Sequence, residues 1–93
     1  MGEFKVILSA RAKKDLLIIE RSGDKASIKK VEQIITELYT HPESGTGKPE
    51  RLKFELAGYW SRRINKKDRL VYLIEHDIIT VTIVSAIGHY GDK

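Results

Sequence analysis

Cysteine is missing from the 93 residues, which excludes a disulfide framework and any thiolate metal site. That absence fits a reducing cytoplasm. No apolar run approaches the roughly 18 residues that a membrane helix needs, so no membrane association is expected. The opening Met1-Gly2-Glu3-Phe4-Lys5 lacks the profile of a signal peptide, and the expectation is a cytoplasmic protein. Proline occurs only twice, at Pro42 and Pro49, both inside one stretch read as a loop. There is no internal repeat and no low-complexity tract. The length predicts one domain over residues 1–93, in the size range where only about 60–65% of the unfolded surface is buried.

What is present is positive charge, and it is unevenly placed. Between Gly45 and Tyr72 there are eight basic residues (Lys48, Arg51, Lys53, Arg62, Arg63, Lys66, Lys67, Arg69) against Glu50, Glu55 and Asp68. The rest of the chain has nine basic and ten acidic residues, so this stretch carries all of the formal net charge of +4. A concentration of that kind attracts a polyanion.

Hydrophobic periodicity predicts the elements. Phe4 to Leu8 reads as a first strand, with Ser9 as the N-cap of a helix running to about Arg21. Ala12, Leu16 and Ile19 recur at helical spacing, and Leu16-Leu17-Ile18-Ile19 is wider than one stripe, which predicts cover on more than one side. Ser22-Gly23-Asp24 ends that helix and caps a second one from Lys25 to about Tyr39. Ile28, Val31, Ile34, Ile35 and Leu38 form its buried face, and Lys29, Lys30, Glu32 and Glu37 a solvated one. The loop from His41 to Pro49 contains Gly45-Thr46-Gly47-Lys48, but Pro49 follows the lysine, so it is not a phosphate-binding loop.

Four strands follow. Leu52, Phe54 and Leu56 alternate with Arg51, Lys53 and Glu55; Tyr59 to Ile64 is next; Arg69 to Glu75 and Ile78 to Ile87 are apolar enough to be central. The fold class is α+β: a mostly antiparallel sheet packed on an N-terminal helical hairpin, in the order β-α-α-β-β-β-β.

The residues suited to chemistry leave alternatives open. Glu50, behind Pro49 and among Lys48, Arg51 and Lys53, reads either as a surface ion pair or as a carboxylate able to take a proton from a substrate hydroxyl. Arg62 and Arg63 point to opposite faces of a regular strand, so at most one of them joins a site and the other packs or pairs. Trp60 reads as a base-stacking ring or as core. His89, flanked by Gly88 and Tyr90 past a buried strand, reads evenly between structure and chemistry. His41 and His76 sit at a helix end and a turn, no histidines stand at metal-ligand spacing, and no metal is expected.

Gly47-Lys48-Pro49-Glu50, Leu52-Lys53, Leu56 with Gly58-Tyr59-Trp60-Ser61-Arg62-Arg63-Ile64, Asp68-Arg69-Leu70-Val71-Tyr72 and the late His89-Tyr90 together resemble the YoeB/Txe branch of the RelE toxin superfamily. The resemblance implies a RelE-like sheet with two helices and the toxin of a bacterial toxin–antitoxin pair. It implies a metal-independent, cofactor-free endoribonuclease that enters the A site of the 70S ribosome and cuts mRNA there. By matching position it implies Glu50 as general base, His89 as general acid, Arg69 as the phosphate-binding arginine and Tyr90 as a residue shaping the site. Lys53 and Arg63 match further cationic positions near the scissile phosphate, with Lys48 and Arg51 as RNA-binding neighbours. The implied partner is an acidic YefM/Phd-type antitoxin, and a homodimer is compatible. One departure is visible: Gly91-Asp92-Lys93 follow a pair at or near which family chains often end. Two other readings remain at this point, a non-catalytic RNA- or ribosome-binding module and a ParE-like toxin directed at gyrase. Neither needs Glu50 together with His89.

Overall fold

Two capped helices follow the first strand, as the local sequence dictates. A computed structural model describes residues 3–88. Strand β1 (Lys5–Leu8) leads directly into α1 (Ala10–Arg21). Ser9 Oγ accepts the Ala12 amide at 3.0 Å and donates to the Val84 carbonyl at 3.0 Å, so one hydroxyl caps the helix and pins it to the sheet. Gly23 turns the chain at φ +78°. Asp24 then caps α2 (Lys25–Leu38) through the Ser27 amide and hydroxyl. Those Ser27 hydrogen bonds, the side-chain one foremost, hold the Asp24 carboxyl below its usual value.

The apolar stripe of α2 is buried at Val31, Ile34 and Leu38 as the spacing requires. On α1 only Ala12, Asp15 and Ile19 are buried. Leu17 and Ile18 are 44% and 52% exposed, so the expectation of cover on more than one side is corrected: within this chain the helix packs along a single face.

Four further strands complete the sheet: β2 (Glu50–Arg51), β3 (Tyr59–Arg63), β4 (Arg69–Glu75) and β5 (Thr80–Ser85). Their order is β1-β5-β4-β3-β2, with β1 parallel to β5 and every other pair antiparallel. The two apolar runs, β4 and β5, are central as expected.

The strand expected over Arg51–Leu56 is corrected. Only Glu50 and Arg51 pair with β3, the Leu52 amide makes a last bond to the Tyr59 carbonyl, and Phe54–Leu56 coil into a 3-10 turn. Phe54 has φ +59° and is 87% exposed. Its alternation with Leu52 and Leu56 signalled nothing, because beyond the end of β3 there is no ladder to join. Ile78 and Ile79 likewise belong to the turn before β5 rather than to the strand.

Period two and the pairing register divide the sheet residues between two faces. Trp60, Leu70, Tyr72, Ile74, Val81 and Ile83 pack toward the helices. Ser61, Arg63, Arg69 and Val71 lie on the other face, joined there by Glu50, the cross-strand partner of Ser61.

Candidate active site

A buried arginine fixes the loop that delivers Glu50. Arg62 is fully buried on the helix-facing side of β3. Its Nε donates to the Tyr72 hydroxyl at 3.0 Å. Nη1 donates to Glu37 Oε1 at 2.7 Å and to the Thr46 carbonyl at 3.2 Å, and Nη2 to the His41 and Ser44 carbonyls at 2.9 and 2.8 Å. All five guanidinium donors are therefore used. The Tyr72 hydroxyl in turn donates a hydrogen bond to the Pro42 carbonyl at 2.7 Å.

Glu37 also accepts the Thr46 amide and hydroxyl, both at 2.8 Å. This corrects its placement on a solvated face of α2: the carboxylate is the counter-ion of Arg62. Burial works to raise the Glu37 carboxyl, but the Thr46 amide and hydroxyl and the Arg62 guanidinium outweigh it and hold the group below its usual value. Burial likewise pushes the Tyr72 phenol up. Gly47 closes the loop against β3. Its carbonyl accepts the Arg63 amide at 2.7 Å, and a Cβ there would stand 2.9 Å from the Arg63 carbonyl. Lys48 (φ +53°) and Pro49 then lead straight into β2.

On the face away from the helices, Glu50 Oε1 lies 3.5 Å from Arg69 Nη1, and the same nitrogen is 3.5 Å from Ser61 Oγ. The Glu50 side chain is 65% exposed and that of Arg69 23%, so a carboxylate open to solvent faces a partly sheltered guanidinium. Arg63 stands directly opposite Arg69 across β3 and β4. The Arg63 amide bonds to Gly47 and the Arg69 amide to Gly88. The two arginines thus form a non-hydrogen-bonded pair, the kind that holds side chains close. Like charges placed so repel, and an anion between them removes the repulsion. Of the two neighbouring arginines, Arg62 packs and Arg63 joins the site.

Two buried aspartates grip the chain where it leaves β5. Asp15 Oδ2 accepts the Ala86 amide at 3.0 Å and the Ile87 amide at 3.3 Å, and Asp68 Oδ1 accepts the Gly88 amide at 3.1 Å. The Gly88 carbonyl takes the Arg69 amide at 3.1 Å. Burial opposes ionisation of Asp68, yet Lys67, the Gly88 amide and Asn65 together hold its carboxyl below the usual value. His89 and Tyr90 lie outside the described residues, and they follow directly on a residue tied to Arg69. Neither aspartate role was read from the sequence. The available signal was Asp15 itself, a carboxylate on the Ala12–Ile19 stripe.

The other cationic residues are dispersed. Arg51 and Lys53 line a separate cavity of about 460 Å³ with Trp60. Lys48 is exposed in the loop before β2. The basic stretch is therefore several surfaces rather than one. Among the described residues no three His, Asp or Glu side chains cluster as a metal site would require, and no helix is long and apolar enough to cross a membrane.

Comparison with known proteins agrees with this fold. Residues 9–90 match the model of the YoeB-like toxin of bacterial type II toxin–antitoxin systems. The toxin YoeB of Mycobacterium bovis is 44% identical over 69 residues, covering 74% of this chain and 79% of that protein. A YoeB/ParE toxin from Agrobacterium tumefaciens superimposes with a TM-score of 0.84 at 31% identity, over 94% of this chain and 100% of its own. In the YoeB–YefM complex from Staphylococcus aureus the matching chain has a TM-score of 0.75 at 33% identity, over 94% of this chain and 98% of that one. With the family match and the fold in agreement, this chain belongs to the YoeB-like toxins of bacterial type II toxin–antitoxin systems.

Proposed function

We propose that the chain is a ribosome-dependent, metal-independent mRNA endoribonuclease of the bacterial cytoplasm. The observation that carries this reading is the Glu50–Arg69 contact of 3.5 Å, with Arg63 opposite Arg69 on the same face of the sheet. A carboxylate there can take the proton of a ribose 2′-hydroxyl while two guanidinium groups hold the adjacent phosphate. The 2′-oxygen attacks phosphorus, and the bond to the 5′-oxygen breaks. The His89 imidazolium protonates that leaving oxygen, near neutral pH. The products are a 2′,3′-cyclic phosphate and a 5′-hydroxyl end. Tyr90 shapes the site, and Lys48, Lys53 and Arg51 contact RNA outside it.

A non-catalytic RNA- or ribosome-binding module has no use for a carboxylate set against its phosphate-binding arginine, which favours the nuclease. The partner proposed for neutralisation is a YefM/Phd-type antitoxin, the Staphylococcus aureus relative being known in complex with YefM. The test is to add the purified chain to 70S ribosomes stalled on a defined mRNA and to map the new 5′ ends. Cuts confined to the A-site codon, absent without ribosomes, support the reading. Ribosome binding without cuts would leave a binding module, and inhibition of gyrase supercoiling in place of cleavage would leave a ParE-like toxin.

A further inference from the structure

The reverse side of the edge strand carries a second feature that the acid–base chemistry does not use. Glu50 and Arg51 are consecutive, so their side chains leave β2 on opposite faces. Glu50 meets Arg69, whereas Arg51 pairs across the ladder with Trp60, on the helix-facing side. There a cavity of about 460 Å³ opens, walled by Trp60, Leu52 and Ile74 and rimmed by Arg51, Lys53 and His76. The Arg51 guanidinium sits 5.9 Å from the Trp60 ring centroid. His76 Nε2 is 3.1 Å from Glu43 Oε2, so a carboxylate acceptor also stands at the rim. β2 is the end of the sheet and only two residues long, so among the described residues no strand pairs with its outer edge, where a strand of RNA can cross.

Resting on the nuclease reading above, we propose that this cavity receives the base of a nucleotide adjoining the cleaved bond. The chain of RNA crosses β2: its reacting phosphate lies at Glu50, Arg63 and Arg69, and the neighbouring base turns inward against Trp60. An aromatic wall beneath a cationic rim is the arrangement that holds single-stranded nucleic acid, the ring stacking on any base and the cations following the backbone. Glu43 adds an acceptor for an exocyclic amine, which gives the subsite a means of preferring bases that carry one.

Trp60 is the only tryptophan in the sequence, so its fluorescence reports this cavity alone. The full chain is titrated with an uncleavable 2′-O-methyl RNA hexamer and with the same hexamer made abasic at each position in turn. Saturable quenching of Trp60, lost with one particular abasic position, is the expected result. In parallel, ribosome-programmed mRNAs abasic on either side of the cut are given to the parent chain and to Arg51→Ala, an exposed position whose change spares the fold. The parent should lose roughly tenfold in cleavage efficiency with one abasic mRNA, and Arg51→Ala should already be slower and lose clearly less. A parent indifferent to both abasic mRNAs overturns the subsite while leaving the nuclease intact. Quenching of Trp60 without any cleavage upholds the subsite and sinks the nuclease. Quenching by an acidic antitoxin peptide but not by RNA assigns the cavity to the antitoxin and overturns the proposal.

Discussion

Asp68 holds Gly88: the carboxylate accepts the Gly88 amide at 3.1 Å, and the next residue, Arg69, donates its own amide to the Gly88 carbonyl at 3.1 Å. One turn between β3 and β4 therefore sets both Arg69 and the point from which the chain continues to His89. Asp68→Ala should leave the Gly88 amide without its acceptor and take one of two acceptors from the Asn65 side-chain amide, which keeps Ser27, costing about 1–3 kcal/mol. The melting temperature should fall accordingly. Cleavage by the folded variant should also drop in kcat with KM nearly unchanged, and the drop should vanish in a His89→Ala background. A full additional loss in that background would mean that Asp68 acts through Arg69 rather than through His89, and no drop in either background would mean that it serves stability alone.

Arg62 predicts a larger loss. Replacing it by Met should take the counter-ion from the Glu37 carboxylate and the donor from three loop carbonyls and cost about 3–5 kcal/mol. Urea titration of Arg62→Met checks this. A change below about 1 kcal/mol would show that the loop before Glu50 is held by something other than the guanidinium.

The pH dependence follows from the same groups. Glu37 and Asp68 both ionise below their ordinary values of 4.5 and 3.8. In acid the unfolded chain binds more protons than the folded one, so stability rises with pH there. Their contribution is complete above the ordinary values and is lost as pH falls through the lower folded ones. Tyr72 has the opposite sign. Its phenol is raised above 10.0, so its contribution is complete below that pH and is lost as pH climbs through the folded value. The urea midpoint measured across pH should fall at both ends. In Glu37→Gln the acid limb should be shallower, and an unchanged limb would contradict the assignment.

How far the sequence carried depends on sequence distance. The caps at Ser9 and Asp24 and the stripe of α2 were legible because each acts within four residues. The contact from Arg62 to Glu37 spans 25 residues and that from Asp15 to Ala86 spans 71, and no local pattern announces either. Glu37 therefore read as solvated, and Asp15 went unremarked. Phe54 misled for a related reason, since an alternating run becomes a strand only where a partner strand still runs alongside. Glu50, Arg63 and Arg69 could be named from the resemblance, but their meeting on one face depends on the β2–β3–β4 register.

Charge at Arg63 and Arg69 bears on neutralisation. A disordered acidic antitoxin segment folding over Arg63 and Arg69 should associate quickly at low salt and steeply more slowly toward physiological salt. Stopped-flow association with a YefM/Phd-type antitoxin across that range checks this. A salt-independent rate, or unchanged affinity for an Arg63→Glu, Arg69→Glu variant, would place the antitoxin elsewhere.

The central claim is that Glu50 and His89 move protons while other residues supply the attraction to RNA and ribosome. Its most direct test is single-turnover cleavage of ribosome-bound mRNA by Glu50→Ala and His89→Ala beside the parent, with ribosome affinity measured in the same preparations. The account predicts a loss on the order of 10²–10⁴ in rate for each variant, with affinity nearly unchanged. Cleavage at the parent rate by both variants, or affinity lost in step with cleavage, would contradict it.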